Sequence, residues 1–359
     1  MRYLTFMLLF AALPAIAENS VARLTSEAVT RHMTEKNIPG LSVAIVHQGE
    51  TIHTDAFGSA SIELGIPATE TTVYPISSVS KMFAGLLAMR LVEAGLLDLD
   101  ASIAEFIDDV PEDKRAITVR HLLQLTHGLE DFYRSDAYAG NSGQSIKDSP
   151  TDSLLSWSLN RPLRFPPGTQ WEYGVVGYML LGQILEKAGG SSFSDLVDRH
   201  VFEPLGIRAA YGGSEVVVPN RYPLLYKESD NAIVGHIVEF PERVWPAGGL
   251  NVSANSLARL FEALSGNDFL SSASKEELWS RVNFEDGSDS HYGLGWFSYV
   301  TSQDRWVVGH EGGGASWVIY YPDIDLAVIA LSNMSGARAD SLPYDIARSL
   351  FTAGIISDR

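Results

Sequence analysis

The chain has 359 residues and no cysteine, and its 44 acidic against 26 basic residues give a formal charge of −18. The absence of cysteine excludes a disulfide framework, a zinc–thiolate site and a catalytic thiol. Hydrophobic residues make up 45% of the chain, which predicts a packed globular core and not disorder. The excess of acid argues against nucleic acid and anionic membrane surfaces as partners, because both bind through lysine and arginine.

The N-terminal segment has the order of a secretory leader. Arg2 supplies a positive start, Leu4–Leu13 is an apolar run, and Ala15-Ile16-Ala17 offers the small residues of a cleavage site. We therefore expect residues 1–17 to be a signal peptide, with a mature chain that begins near Glu18 and resides in the periplasm or outside the cell. No other stretch approaches the roughly 18 apolar residues that a membrane-spanning helix needs, so we predict no integral span.

The remaining elements predict a sheet built from distant segments. Periodicity indicates a helix over residues 21–35 and a hairpin at Leu41–Val46 and Thr51–Phe57. The pattern from Ser78 to about Gly206 is mostly helical. Strand patterns return only near the C-terminus, and a closing helix follows them; the strands are Trp306–Val308, Trp317–Tyr321 and Leu326–Leu331.

Strands at both ends with helices between them predict an α/β (α+β) fold, in which an antiparallel sheet is flanked by helices and carries an inserted all-helical lobe. We expect the sheet domain to comprise residues 18–75 and 210–359, and the helical lobe residues 76–209. The polar stretch Asp131–Pro150, rich in Gly, Ser and Asp, predicts a long loop. Such a loop is either a plain surface excursion or the rim of a site.

The sequence offers little support for a metal or a nucleotide. His310-Glu311 is followed by three glycines, so no second histidine lies one helical turn away as a zinc site would require. The run Gly312-Gly313-Gly314 lacks the spacing and the following helix of a dinucleotide-binding loop. We therefore predict that the protein uses neither a metal nor a cofactor.

The pattern Ser-x-x-Lys occurs twice in a chain that has only seven lysines, at Ser78–Lys81 and at Ser272–Lys275. A serine and a lysine three residues apart lie on one face of a helix, where the amine can accept the hydroxyl proton. That chemistry requires a desolvated lysine, because burial lowers the pKa of an ammonium group. Ser77 also lies one turn from Lys81, so spacing alone does not choose the nucleophile.

The residues that follow each copy distinguish them. Met82–Met89 is apolar nearly all round and predicts a buried helix, which supplies the desolvation that the first copy needs. The acidic residues after Lys275 predict an exposed helix start with Ser272 or Ser274 as its N-cap. We therefore expect the first copy to be a catalytic pair and the second to be structural.

Further motifs extend this pattern along the chain. Together they resemble the β-lactamase-related serine hydrolases, which include class C β-lactamases, DD-carboxypeptidases, D-amino-acid peptidases and carboxylesterases. The resemblance covers essentially the whole chain after the leader, and its motifs occur in the family's order. They are Ile38-Pro39-Gly40, Ser78-Val79-Ser80-Lys81, Leu122–Leu129, Phe165-x-Pro167-Gly168, Tyr173 ahead of Gly177–Gly182, Pro204-Leu205-Gly206, Ala247–Leu250, Tyr292–Trp296 and Gly309–Gly312.

The resemblance implies roles for three side chains. Ser78 would be the nucleophile that attacks a carbonyl carbon. Lys81 would lower the cost of removing the Ser78 proton. Tyr173 corresponds to the tyrosine of the family's Tyr-x-Asn motif, which shares the proton transfer and protonates the leaving group.

The resemblance also implies a binding wall and an oxyanion hole. His310-Glu311-Gly312 corresponds to the Lys-Thr-Gly or His-x-Gly strand motif that lines the far wall of the cleft, where substrate binds. The backbone amides of Ser78 and Gly313 would form the oxyanion hole, and one such donor contributes about 3–4 kcal/mol to the transition state.

This sequence departs from the family pattern at three positions. Val175 replaces the usual asparagine two residues after Tyr173, and a valine cannot hydrogen-bond an acyl side chain. His310 replaces the usual lysine of β-lactamases, which removes a permanent positive charge. With an ordinary pKa of about 6.5, which neighbouring Glu311 could raise, His310 predicts that turnover of a carboxylate-bearing substrate rises as the pH falls toward 6, relative to a neutral ester. His127 replaces a common serine, and its role is open.

These residues predict an exported serine hydrolase that cleaves a small-molecule ester, peptide or lactam through an acyl-enzyme. The departures favour a carboxylesterase-like or D-peptidase-like member of the family. One alternative is a class C-like β-lactamase or a penicillin-binding DD-carboxypeptidase. Another alternative is a catalytically silent ligand-binding or scaffold protein. The loss of the motif asparagine at Val175 supports this alternative.

Overall fold

A computed structural model describes residues 5–132, 151–212, 220, 222, 225–230, 232–238, 240–338 and 340–357. Most of the predicted loop Asp131–Pro150 lies outside the described residues. The helices are α1 (Thr5–Glu35), α2 (Ser80–Glu93), α3 (Val119–Leu123), α4 (Thr151–Leu159), α5 (Val176–Gly189), α6 (Phe193–Val197), α7 (Glu203–Leu205), α8 (Ala254–Ser265), α9 (Ser272–Trp279) and α10 (Leu342–Thr352). Within the described part of the chain, no helix is both long and apolar enough to cross a bilayer.

Among the described residues the strands form three sheets, and the largest joins strands from the N-terminal and C-terminal parts of the chain. Its seven strands are antiparallel and run in the order β3-β2-β1-β12-β11-β10-β9, and β1 pairs with β12 from Leu41–Ser332 to His47–Leu326. The bounds are β1 (Gly40–His47), β2 (Glu50–Ser61), β3 (Ile66–Pro67), β4 (Val73–Pro75), β5 (Ala209–Tyr211), β6 (Leu225–Ser229), β7 (Ala232–His236), β8 (Leu250–Ser253), β9 (Phe297–Val300), β10 (Trp306–Gly312), β11 (Ser316–Tyr321) and β12 (Leu326–Ser332).

Helices cover both faces of this sheet, as the sequence predicted for the fold. Residues of α1 and α10 pack on one face in a core with Val43, Val328 and Ala330. The other face packs against α8, α2 and the helices that follow α2 in a larger core. Because β1 and β12 are covered on both sides, nearly all their residues are buried, which is why these strands lack polar–apolar alternation.

Three local predictions were wrong. The structure has strands between residues 209 and 253, where the sequence analysis predicted none, because strands of three to five residues are too short to show a period of two. The N-cap of α9 is Ser271, not Ser272 or Ser274, and its hydroxyl accepts from Ser274 N at 3.2 Å. The first helix includes the predicted residues 21–35 but begins earlier than predicted, at Thr5.

Candidate active site

The first Ser-x-x-Lys copy brings its serine and lysine together at the start of α2. Ser78 lies in a 3₁₀ turn formed by residues 77–79, directly before Ser80, the first residue of α2. Lys81 Nζ lies 3.3 Å from Ser78 Oγ, and Lys81 is fully buried, because α2 is apolar on every side. The other serine of the motif is structural, since Ser80 Oγ accepts from Leu250 N.

Lys81 also reaches two groups from distant parts of the chain. Its Nζ lies 3.0 Å from Tyr173 Oη, ahead of α5, and 3.1 Å from the carbonyl oxygen of Ala247. An ammonium group has three N–H donors, so these two oxygens and Ser78 Oγ can satisfy all of them. Lys81 forms no salt bridge with a carboxylate in the described chain. The amine is therefore held by neutral acceptors between the Ser78 and Tyr173 hydroxyls, at a distance suited to passing a proton.

Aromatic rings orient Tyr173 for this contact. Its ring stacks almost parallel to Phe297, with centroids 6.3 Å apart, and lies 6.3 Å from Trp171 and 6.2 Å from His310. Lys81 Nζ also lies 4.8 Å from the centre of the Tyr173 ring, within cation–π range. The position of the hydroxyl is therefore set by ring packing and by the lysine.

Tyr173→Phe should lower kcat by about 10²-fold, because it removes a hydroxyl placed for proton transfer while the ring keeps its packing. The measurement is steady-state hydrolysis of a p-nitrophenyl ester, with thermal unfolding as a check on the fold. Tyr299→Phe is the matched control, since it removes a hydroxyl from β9 on the far face of the same sheet. Equal kcat values for the wild type and Tyr173→Phe would contradict this role.

The end of β10 packs directly against the turn that carries Ser78. A Cβ at Gly312 would stand 2.0 Å from the Ile76 carbonyl oxygen, so any side chain there would force β10 away from the serine. Gly313 has φ +58°, and a Cβ on it would stand 3.1 Å from Ser77 Oγ. Both glycines therefore let the backbone after β10 approach Ser78, as the predicted pair of oxyanion amides requires.

His310 lies in the buried part of the wall and is held by two hydrogen bonds. Its Nδ1 lies 2.6 Å from the Glu311 carbonyl oxygen, so Nδ1 carries the proton, and its Nε2 lies 3.0 Å from Tyr292 Oη, whose hydroxyl donates to it. Burial and the charge of Lys81 lower the pKa of His310 to about 3. Glu311 does raise this pKa, through the hydrogen bond of its carbonyl to the ring, but burial and Lys81 outweigh it. The lowered pKa therefore speaks against the expected gain of charge on His310 near pH 6.

Val175 is the N-cap residue of α5. Its side chain cannot cap the helix, and a carboxylate from another segment accepts the hydrogen bonds of the first backbone amides instead. Asp131 Oδ2 accepts from the backbone amides of Val175 at 2.5 Å and Val176 at 3.0 Å. The Val175 side chain is partly buried and packs against the core. The position two residues after Tyr173 therefore presents no hydrogen-bonding side chain to a substrate.

His127, whose role the sequence left open, has a packing role. Its ring lies against Gly177 of α5, where a Cβ would stand 2.5 Å from Nε2. Its Nδ1 accepts from Leu129 N at 3.0 Å, and burial lowers the pKa of the ring to about 3. His127 is therefore a neutral side chain that helps to join α3 and the following turn to α5.

Sequence reasoning missed three residues that complete this arrangement. The Ala247 carbonyl binds Lys81, Tyr292 holds His310, and Phe297 stacks on Tyr173. Ala247 and Tyr292 stood inside motifs that carried the family resemblance, but their sequence gave no sign of a contact with the site. Among the described residues, no cluster of His, Asp and Glu has the geometry of a metal site.

The fold and the serine–lysine–tyrosine arrangement define a class of protein, the serine hydrolases with a β-lactamase/DD-peptidase-like fold. The chain belongs to the Beta-lactamase family, whose family model matches residues 25–350. It is 27% identical to penicillin-binding protein 4* of Bacillus subtilis over 309 residues, which are 81% of this chain and 67% of that protein. It is 26% identical to esterase EstB of Burkholderia gladioli over 359 residues, with 88% of this chain and 91% of that protein covered.

Solved structures are similar over nearly the whole chain. The octameric penicillin-binding protein homologue from Pyrococcus abyssi has a TM-score of 0.78 and 25% identity, covering 93% of this chain and 77% of that one. EstCE1, a hydrolase with promiscuous acyltransferase activity, has a TM-score of 0.79 and 20% identity, covering 94% of this chain and all of that one. The likeness to EstCE1 concerns the fold alone.

Proposed function

We propose that this protein is an exported serine hydrolase that cleaves neutral acyl substrates, either short esters or short D-residue peptides. The observation that carries the proposal is the neutral wall of the cleft. His310 stands where β-lactamases usually have a lysine, and its lowered pKa keeps it uncharged at neutral pH. Val175 adds no polar side chain on the Tyr173 side.

The reaction would proceed through an acyl-enzyme. The Lys81–Tyr173 pair must first hold one proton fewer than an ammonium group and a hydroxyl together. Ser78 Oγ then attacks the substrate carbonyl carbon while its proton passes to this pair. The amides of Ser78 and Gly313 stabilise the resulting oxyanion. The C–O or C–N bond then breaks, and the leaving group takes the proton from Tyr173. Water attacks the acyl-enzyme in the second half-reaction, which releases the acid and restores the Ser78 hydroxyl.

The similarity to esterase EstB, which covers most of both chains, supports the ester reading. The 26% identity to the D-aminopeptidase of Brucella anthropi supports the peptide reading; the match covers 88% of this chain and 60% of that protein. Both readings require that the acyl group binds without a salt bridge. A neutral wall allows such binding.

A substrate panel tests the proposal. Purified protein is assayed with p-nitrophenyl butyrate, with a D-Ala-D-Ala peptide whose C-terminus is amidated and therefore uncharged, and with penicillin, and intact mass is recorded after each incubation. We expect turnover of the ester or of the peptide, and only a weak reaction with penicillin. Efficient penicillin turnover would assign the protein to the β-lactamases, and a persistent penicillin adduct would assign it to the penicillin-binding carboxypeptidases. No turnover and no adduct would indicate a ligand-binding protein.

The pKa of His310 predicts the pH dependence of substrate preference. Because this pKa is lowered to about 3, the ring is neutral throughout the range from about pH 5 to 8 and gains a charge only in stronger acid. The ratio of kcat/KM for a carboxylate-bearing ester to that for a matched neutral ester should therefore stay constant across this range. A ratio that rises several-fold toward pH 5 would show that His310 becomes protonated, contrary to this prediction.

Export remains a proposal based on the N-terminal sequence. Expression of the full chain in a Gram-negative host, followed by fractionation and N-terminal sequencing, should give a periplasmic or secreted protein that begins near Glu18. A cytosolic protein that retains Arg2 would contradict it.

A further inference from the structure

A cavity of about 290 Å³ lies at the face of the seven-stranded sheet that is turned away from Ser78. It is bounded by β9, β10, β11 and the residues around the start of α10. Val307 and Trp317 in its lining belong to the core that α1 and α10 share, whereas Val308 and Val318 on the same strands pack with α2. Its volume is near the lower end of ligand pockets, which hold roughly 300–1,000 Å³.

The lining combines aromatic rings with carboxylates. Of the described residues that line the cavity, none is a lysine or an arginine. Trp317 Nε1 donates to Asp340 Oδ1 at 2.9 Å, which fixes that carboxylate beside the indole ring. The hydroxyls of Tyr299 and Tyr344 are bonded to each other, so their rings form one continuous wall. The aromatic residues are Phe297, Tyr299, Trp317 and Tyr344, and the acidic ones are Glu311 and Asp340.

The charged groups of the lining are acidic. Partial loss of solvent and the Asp340 carboxylate raise the pKa of Glu311, whereas the positive charges of Arg338 and of Lys81, on the other face of the sheet, oppose this rise. Neither of these cations belongs to the described lining, which therefore carries two carboxylates and no positive group of its own. Glu311 and Trp317 are directly paired across β10 and β11, so the Glu311 carboxylate and the indole share one face of the sheet.

We propose that this cavity binds a small organic cation, namely an alkylated or quaternary ammonium group. Such cations bind over the faces of tryptophan and tyrosine rings, and their alkyl substituents favour an apolar enclosure. The carboxylates of Glu311 and Asp340 would balance the positive charge of such a ligand. A neutral ligand would gain no electrostatic attraction from them. An inorganic ion would not fit this lining, because its oxygen ligands are too few and its walls are mostly apolar.

The cavity is distinct from the catalytic centre but adjoins it. Phe297 lines the cavity and also stacks on Tyr173. His310, Val308 and Val318, which belong to the active-site side of β10 and β11, also contribute to the lining. The catalytic hydroxyls and the amine of Lys81 lie on the other face. Ligand binding must therefore be tested with variants that alter the cavity and leave the catalytic groups in place.

The test is calorimetric titration of the full protein with choline and with 3,3-dimethylbutan-1-ol, its neutral isostere. We expect choline to bind at least about tenfold more tightly, because only the cation gains from the ring faces and carboxylates. Asp340→Asn should weaken choline binding about fivefold while it keeps an oxygen that accepts from Trp317. Asp323→Asn is the matched control, because it removes an equal charge from the exposed turn between β11 and β12 and should leave binding unchanged.

Three outcomes would overturn the proposal. Choline and its neutral isostere could bind equally, which would indicate a purely apolar site. Asp340→Asn and Asp323→Asn could have the same effect, which would indicate an effect of net charge alone. Choline could also fail to bind saturably in the millimolar range. Thermal unfolding of both variants separates these results from loss of the fold.

Discussion

Ser78→Ala should abolish acyl-enzyme formation and lower kcat/KM for a p-nitrophenyl ester by about 10³-fold or more. The reason is geometric: Ser78 Oγ lies 3.3 Å from Lys81 Nζ, and its turn faces the glycines at the end of β10. Labelling by a fluorophosphonate probe should disappear with the activity. The residual rate should reflect only binding and the oxyanion amides.

The neighbouring serine provides the control. Ser77 has φ +46°, a left-handed conformation that glycine adopts without strain, so Ser77→Gly removes the hydroxyl and leaves the turn intact. We expect this variant to keep fluorophosphonate labelling. If Ser77→Gly lost labelling and Ser78→Ala retained it, Ser77 would be the nucleophile and the geometric assignment would be wrong.

Lys81→Met should reduce the acylation rate by about 10³-fold, because it removes the amine that links the Ser78 and Tyr173 hydroxyls. The fold should survive. Lys81 is fully buried and pairs with no carboxylate in the described chain, so methionine fills the space without leaving an unpaired charge behind. The measurements are the pre-steady-state burst with a p-nitrophenyl ester and the midpoint of thermal unfolding.

The second Ser-x-x-Lys copy supplies a matched control for this experiment. Lys275 on α9 donates to the carbonyl oxygens of Leu264 and Gly266, so its amine has a structural role only. Lys275→Met should leave the burst rate unchanged and lower stability modestly. Equal losses of activity in the two variants would mean that lysine at position 81 is needed for folding and not for chemistry.

The contact between Ser78 and Lys81 was predictable because the two residues are close in sequence. A spacing of three residues places their side chains on one helix face, and an apolar helix after Lys81 indicates burial. The same reasoning separated the two Ser-x-x-Lys copies. The large sheet was predictable in outline, because its long strands are buried runs of β-branched and aromatic residues, whereas the short strands between residues 209 and 253 were not.

The contacts that Lys81 makes with Tyr173 and Ala247 could not be predicted from local sequence patterns. Tyr173 lies 92 residues from Lys81 and Ala247 lies 166 residues from it, so their contacts depend on how α2, α5 and the segment before β8 pack together. The resemblance supplied Tyr173, but no motif indicated that the Ala247 carbonyl would bind the amine. The role of His127 required its contact with Gly177.

The sequence by itself determined the absence of thiol chemistry and a serine one helical turn from a buried lysine, because these follow from composition, spacing and apolar periodicity. The choice of Ser78 over Ser77 and the family of the fold came from the resemblance that the ordered motifs carry. Only the tertiary structure decided the charge of the cleft wall. The charge of His310 depends on burial and on nearby Lys81, which folding brings beside β10 from α2. An ionisable side chain takes its pKa from its surroundings, and those surroundings exist only after the chain has folded.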